Sequence, residues 1–303
     1  MSEQTLEKPR ILLLLPTRTY RATDFLAAAM KLNVEVVVAS EEAATTADLS
    51  PRDSLVLDFS APAAATQTII EFAAAHPIAG IVGVDDDTTL LATTASEALG
   101  LPHNPVESVK ATRDKYRLRH TLATRGVPCP QFRRFSICDD IVEISKQVDF
   151  PCVIKPLSLS ASRGVIRADN WHEFTDAFRR VAALLRAIAT EADTNAGSPS
   201  ADVLIEDYIP GIEVALEGIL LEGELKMLAL FDKPDPLEGP FFEETLYITP
   251  SRLSQDTQDE LRSATAEAAT ALGLRHGPVH AELRYNEKGA HLIEIAARTI
   301  GGL

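Results

Sequence analysis

Five consecutive apolar residues, Ile11 to Leu15, run without a polar interruption and stop at Pro16. Successive side chains of a strand point to opposite faces, so an uninterrupted apolar run predicts a strand covered on both sides. Val34 to Ala39, Ser54 to Asp58 and Gly80 to Val84 are further strand candidates. The alanine-rich stretches Asp24 to Leu32 and Thr66 to Ala75 lie between them and predict helices. Strands alternating with helices imply a parallel α/β sheet.

The pattern changes after the turn-rich Leu101-Pro-His-Asn-Pro105, which places a domain boundary near residue 106. Ser108 to Thr124 predicts one helix closed by Gly126 and Pro128. Phe150 to Pro156 reads as a strand, Asp169 to Leu185 as a helix, and Glu191 to Asp202, rich in small and polar residues, as a surface loop. Val203 to Tyr208, Glu213 to Leu221 and Glu224 to Phe231 read as antiparallel strands with turns at Pro210-Gly211 and Glu222-Gly223. Thr257 to Leu272 predicts a long helix, with Glu260 available for a capping box and Gly273 as its stop.

The last strong pattern, His280 to Arg298, holds two apolar runs with a carboxylate at the centre of each, Glu282 and Glu294. A three-residue loop Glu287-Lys288-Gly289, with Gly289 left-handed, sets the two glutamates opposite each other on one face. Alternation adds His280, Arg284 and Arg298 to that face and turns Ala281, Leu283, Tyr285, Ile293, Ile295 and Ala297 to the other. Like charges so placed repel and call for a cation. Taken alone, such a hairpin reads first as a solvent-facing ribbon with ordinary surface charge; the rest of the chain changes that.

The 303 residues, 46% hydrophobic and 24% charged, suffice for about two or three compact units. A formal net charge of -15 argues against non-specific binding to nucleic acid or anionic membranes, so any phosphate site must be locally basic. Cys129, Cys138 and Cys152 show no metal-ligand spacing and no even disulfide set. The start lacks a signal pattern and no apolar run approaches membrane-spanning length, so the expectation is a cytoplasmic protein. Pro16 to Tyr20 carries no glycine-rich dinucleotide fingerprint.

Lys155 sits inside an apolar strand, where an unpaired ammonium is costly; it calls for an anionic partner or snorkels from a sheet edge. Ser158, Ser160, Ser162 and Gly164 follow in a loop that can present amides and hydroxyls to phosphate, or is only a serine-rich turn. Glu206 ends the run Val203-Leu-Ile, and Glu213 stands beyond the Pro210-Gly211 turn. A carboxylate at Glu213 suits a pair of ribose hydroxyls; either glutamate is equally an exposed strand residue. Lys233 to Thr245, dense in proline and aromatics, is a candidate substrate-recognition segment or a rigid connection.

In order, Lys115 with Arg125-Gly-Val-Pro-Cys-Pro130, the Lys155 strand, the Ser/Gly loop 158 to 164, Glu206-Asp-Tyr-Ile-Pro-Gly-Ile-Glu213, and Glu282 with Glu294 resemble the ATP-grasp ligases. Biotin carboxylase and D-alanine ligase share this pattern. Glu294-Ile-Ala-Ala-Arg-Thr-Ile-Gly-Gly302 looks closer to the L-amino acid ligase and dipeptide synthetase branch. The resemblance implies an α/β preATP-grasp domain over 1-106, like the biotin carboxylase N-domain, and an α+β ATP-grasp domain over 107-303. The lobes of the latter would meet near residue 206, and the second would be incomplete, since related ligases continue past the final Leu303.

By the same resemblance Lys115 and Lys155 contact ATP phosphates beneath the serine loop. Glu206, Asp207, Tyr208 and Ile209 meet adenine, and Glu213 holds the ribose. Glu282 and Glu294 ligate magnesium, with manganese as a substitute. Arg298 steadies an acyl phosphate, and Arg284 joins it in orienting a carboxylate through forked hydrogen bonds. The family's usual asparagine two positions after the second glutamate is Ala296 here, which removes one oxygen ligand. The function implied is an ATP-dependent ligase joining a small-molecule carboxylate and an amine, amino acids foremost, with a homo-oligomer left open. A carboxylase activating bicarbonate and a non-catalytic ATP-binding protein are the competing readings.

Overall fold

The computed structural model describes residues 8–17, 19, 21–42, 54–192 and 201–301. The chain divides into two compact units, Met1–Val109 with Ala297–Leu303, and Lys110–Ala296. The division falls a few residues after the expected 106, and the last residues group with the first unit. Most of the expected surface loop Glu191 to Asp202 lies outside the described residues.

The first unit runs β1 (Arg10–Leu14), α1 (Ala22–Leu32), β2 (Glu35–Ser40), β3 (Ser54–Val56), α2 (Pro62–Ala75), β4 (Gly80–Gly83) and α3 (Asp86–Ala98). Its strands pair in parallel in the order β3-β2-β1-β4. The apolar run of β1 is explained by its two covers. Leu12 and Leu14 pack with Ile69 of α2 and Leu91 of α3, while Leu13 and Leu15 pack with Phe25 and Leu26 of α1. α1 ends where Asn33 takes a left-handed conformation and its amide caps Ala29 and Met30.

The second unit opens with α4 (Val106–Thr112), which straddles the division, and α5 (Lys115–Thr124). The single helix expected from Ser108 to Thr124 is thus two. Asp114 interrupts it, because its carboxylate accepts from the amides of Tyr116 and Arg117 at 2.9 and 3.0 Å and so starts a new helix. There follow β5 (Phe132–Ser136), α6 (Ile141–Ser145), β6 (Cys152–Pro156), β7 (Ile166–Ala168), α7 (Trp171–Ala192) and β8 (Asp202–Asp207). β5 and α6 carry no alternation strong enough to be anticipated. The antiparallel sheet β5-β8-β6-β7 buries one face against α7 through Phe174, Phe178 and Val181.

A second antiparallel sheet has the order β10-β9-β11-β12, built from β9 (Ile212–Leu221), β10 (Glu224–Lys233), β11 (Gly277–Asn286) and β12 (Gly289–Ala296). The helix α8 (Gln255–Leu272) precedes β11. Ser254 rather than a glutamate box caps it, accepting from the Thr257 amide at 3.2 Å, and left-handed Gly273 ends it. Among the described residues no helix is long and apolar enough to cross a membrane.

The β11-β12 hairpin corrects one expectation while keeping its consequence. Asn286 pairs with Gly289, so the loop has one residue fewer than expected, and the register then slips by one between Leu283-Leu292 and Glu282-Glu294. The bulge at Ile293 restores Glu282 opposite Glu294. It also exchanges core positions: Leu292 is buried where Ile293 was expected to be.

Candidate active site

One turn apart on α5, Lys115 and Arg119 share a face. Arg119 is 1% exposed, and its guanidinium donates to Glu206 of β8 from Nε at 2.9 Å and from Nη2 at 3.4 Å. Nη2 also donates to the carbonyl of Ile293, the bulged residue, at 2.7 Å. Lys155, adjacent to β8 on β6, meets the same carboxylate at Oε1, the oxygen that Nη2 also contacts. Burial opposes the charge on Glu206, but Arg119 and Lys155 outweigh it and pull its pKa down to about 2. Burial pulls Lys155 below the ordinary lysine range, with Glu206 acting in the opposite direction. The partner required by an ammonium in an apolar strand is therefore Glu206.

Lys115 points its ammonium elsewhere. Nζ donates to the Leu159 carbonyl at 2.8 Å and lies 3.7 Å from the Glu294 carboxylate. It thereby ties the serine loop to the hairpin. In that loop Ser158, Ser160 and Ser162 are exposed, and Ala161 and Ser162 hold left-handed backbone angles, φ 54 and 51, at a cost of about 1 kcal/mol each. Gly164 is left-handed as well, and a Cβ there would meet Leu184 and Pro156 at 2.9 Å. The loop's form is imposed by its surroundings. Addition of ATP and magnesium should slow amide hydrogen exchange across residues 158–164 and leave the Glu287-Lys288 turn unchanged, as mass spectrometry can read.

The sheet β10-β9-β11 builds a second charged group by register. Lys233 stands opposite Glu213, and Glu213 opposite Arg284, giving a row across three strands. Four residues along β9, Glu217 stands opposite His280. Ala215, a small residue between them on β9, faces Glu282. Lys233, whose side chain has no exposure, donates to Glu213 at 2.9 Å, to Glu244 at 2.6 Å and to Glu282 at 3.0 Å. Tyr247 hydrogen-bonds Glu244. Burial disfavours charge on Glu282, yet Lys233 and His280 hold its pKa well below the usual carboxylate range. Burial likewise opposes the His280 imidazolium, but the carboxylates of Glu217 at 2.6 Å and Glu282 at 3.6 Å push it up to about 9.

Arg284 has four of its donors engaged. Nε donates to Glu213 at 2.9 Å, Nη1 to the Tyr208 hydroxyl and the Ile209 carbonyl at 2.9 Å each, and Nη2 to the Leu237 carbonyl. A side chain 3% exposed and so engaged has no fork to offer a substrate carboxylate. That expectation is corrected: Arg284 fastens the strand-to-turn stretch at Tyr208-Ile209 to β9 and to the segment after β10. Tyr208 is further held by Arg167, 3.9 Å from its ring centre, and by stacking on Phe242. The amides of Asp207 and Tyr208 donate to Gln131 and Pro151, so neither is available to a ligand. Burial raises the Asp207 pKa, with Asp149 and Glu206 adding to it.

Arg298 belongs to the first unit. There it makes a forked pair with Asp86 at the start of α3, Nε to Oδ1 at 2.6 Å and Nη2 to Oδ2 at 2.8 Å. A guanidinium fork for carboxylate is present at this position, filled by the chain's own carboxylate.

Three charged groups therefore hold these charged sequence candidates of the second unit: Lys155 with Glu206; Glu213, Glu282 and Arg284; and Lys115 with Glu294. Arg119, Lys233, Glu244 and His280 with Glu217 complete the groups. Arg119 was accessible to sequence reasoning as the residue one helical turn from Lys115. Lys233 and Glu244 were not, because only strand register and the return of the segment after β10 bring them to Glu282.

Comparisons with known proteins bear on the family and the fold. A family model described as an ATP-grasp domain matches residues 148–303, and one described as an ATP-grasp N-terminal domain matches residues 26–103. Alanine--anticapsin ligase of Bacillus subtilis is 30% identical over 240 residues, covering 74% of this chain and 50% of that protein. Dapdiamide A synthase of Enterobacter agglomerans is 27% identical, covering 78% of this chain and 54% of its own length. The chain thus spans about half the length of the curated relatives it matches. The crystal structure of an L-amino acid ligase from Bacillus licheniformis superposes with a TM-score of 0.77 at 25% identity, covering 97% of this chain and 68% of that one. A biotin carboxylase domain solved with MgADP and bicarbonate shares the fold at 17% identity and a TM-score of 0.69. With the parallel first unit, the two antiparallel sheets of the second and a family match over half its length, the chain belongs to the ATP-grasp family.

Proposed function

We propose that this chain carries the nucleotide-binding site of a ligase that joins an amino-acid carboxylate to an amine at the expense of ATP. The observation that carries the proposal is the Glu282-Glu294 pair opposed on one hairpin, with Lys115 3.7 Å from Glu294. The names of the relatives, an alanine ligase and an L-amino acid ligase, support amino acids as the substrate class.

In this reading Lys115 and Lys155 hold the phosphates beneath the loop of Ser158, Ser160, Ser162 and Gly164. Glu206 and the backbone to Ile209 meet the adenine edge; the Ile209 amide is the next donor after those of Asp207 and Tyr208, which are engaged within the protein. Glu213 keeps lone pairs for ribose hydroxyls beside its bonds to Lys233 and Arg284. Glu282 and Glu294 offer hard carboxylate oxygens that suit magnesium, and Glu294 is only partly covered, with 31% of its side chain exposed. Bound there, magnesium would neutralise charge on phosphate oxygens. A substrate carboxylate oxygen attacks the terminal phosphorus of ATP, ADP leaves, and an acyl phosphate forms. The amine then attacks the acyl carbon, phosphate departs, and the amine proton passes to solvent.

Lys155→Met tests the phosphate assignment. The substitution keeps the apolar stem and leaves Glu206 paired with Arg119. ATP affinity by calorimetry should fall by more than about tenfold, roughly 1.4 kcal/mol. Unchanged affinity would make Lys155 a structural partner of Glu206 alone.

A further inference from the structure

The ammonium of Lys233 occupies the point to which Glu213, Glu244 and Glu282 converge. These three offer oxygens within 4.8 Å of one another, a spacing that suits a divalent cation. Lys233 takes that place with three contacts of 2.6 to 3.0 Å and no side-chain exposure. Its backbone is fixed opposite Glu213 at the end of β10, so the ammonium is tethered rather than exchangeable.

We propose that Lys233 is a positioning residue that serves as the resident counter-ion of this triad. It holds the three carboxylates together in the nucleotide-free protein and denies the triad to a free divalent cation, so that metal enters only with the phosphates of ATP. The proposal rests on the reading of Glu282 as a magnesium ligand. Lys233 and His280 both meet Glu282 through Oε1, which leaves Oε2 as the oxygen for a nucleotide-borne cation. A second cation entering the triad itself would stand against the ammonium at close range, with Lys233 and Arg284 already set against its carboxylates. Among the described residues the hydrogen-bond partners of Glu244 are Lys233 and Tyr247.

Manganese binding to the 303-residue chain, followed by loss of the free-ion paramagnetic resonance signal, separates the two layers of this reading. With a non-hydrolysable ATP analogue present, wild type should bind manganese and Glu282→Gln should lose it. Failure of that arm removes Glu282 as a ligand, whatever Lys233 does. Without nucleotide, wild type should bind manganese weakly, and Lys233→Met should gain affinity by at least about tenfold, since it exposes three carboxylates at ligand spacing. Lys233→Gln, which keeps donors and removes the charge, should gain less than Lys233→Met and more than wild type. A folded Lys233→Met protein with nucleotide-free affinity within about threefold of wild type overturns the proposal. Should Lys233→Met not fold, the Lys233→Met/Glu244→Gln double variant carries the same expectation and the same refutation. Loss of fold in both leaves Lys233 a purely structural residue and equally overturns it.

Discussion

Glu206→Ala should destabilise the second unit by about 3 to 5 kcal/mol, among the largest effects of any single substitution here. The change removes the one carboxylate shared by Arg119 and Lys155, which are 1% and 6% exposed, and leaves two cations where water does not reach. Lys155 can shed its proton; Arg119 cannot, and one of its nitrogens, Nη1, is already buried without a hydrogen-bond partner among the described residues. Urea unfolding of wild type and variant measures the loss.

The pH dependence follows from the direction of the shift. Glu206 has a folded pKa of about 2 against the ordinary 4.5, so its stabilising contribution is complete above about pH 4.5 and is lost as the pH falls through about 2. The stability difference between wild type and Glu206→Gln should be flat from pH 7 to about 5 and narrow below that. A difference that widens on acidification would contradict an ionised Glu206.

Glu294→Gln should lower ADP release by about a hundredfold or more while the melting temperature moves by less than about 4 °C. Glu294 has Lys115 as its ion-pair partner at 3.7 Å, and its side chain is 31% exposed, so little of the fold depends on its charge. Glu282→Gln should also lose turnover, but with a fall in stability on the order of 1 to 3 kcal/mol, because Lys233 and His280 both lose a charged partner. The contrast between two glutamates opposite each other on one hairpin separates a proposed ligand from one that is also a structural counter-charge. Equal stability losses would remove the distinction.

Much of this was readable from the chain. The apolar run Ile11 to Leu15 announces a strand covered on both faces, and the structure covers it with α2 and α3 on one side and α1 on the other. The opposition of Glu282 and Glu294 was also readable, though by a different route. A shorter turn and a bulge at Ile293 arrive at the same pair, because burying Leu283 and Leu292 together outweighs regular register. The split of α4 from α5 was legible in principle in Asp114, a helix-capping residue in the middle of a helical pattern.

What the sequence withheld was the identity of the cations. Alternation placed Arg284 on the carboxylate face correctly but could not say that Glu213, Tyr208, Ile209 and Leu237 would engage it. Lys155 asked for an anion, and its own sheet neighbour Glu206 supplies one before any phosphate does. Lys233 lies 49 residues from Glu282, a separation across which periodicity carries no information.

The most direct measurement of the central claim follows oxygen. The chain, given ATP, magnesium, an L-amino acid with both carboxylate oxygens labelled as oxygen-18, and a second amino acid as amine, should form an amide. The inorganic phosphate released with ADP should then carry one labelled oxygen per amide formed, since the acyl phosphate leaves its bridging oxygen on phosphorus. Unlabelled phosphate, or AMP and pyrophosphate in place of ADP and phosphate, would contradict it.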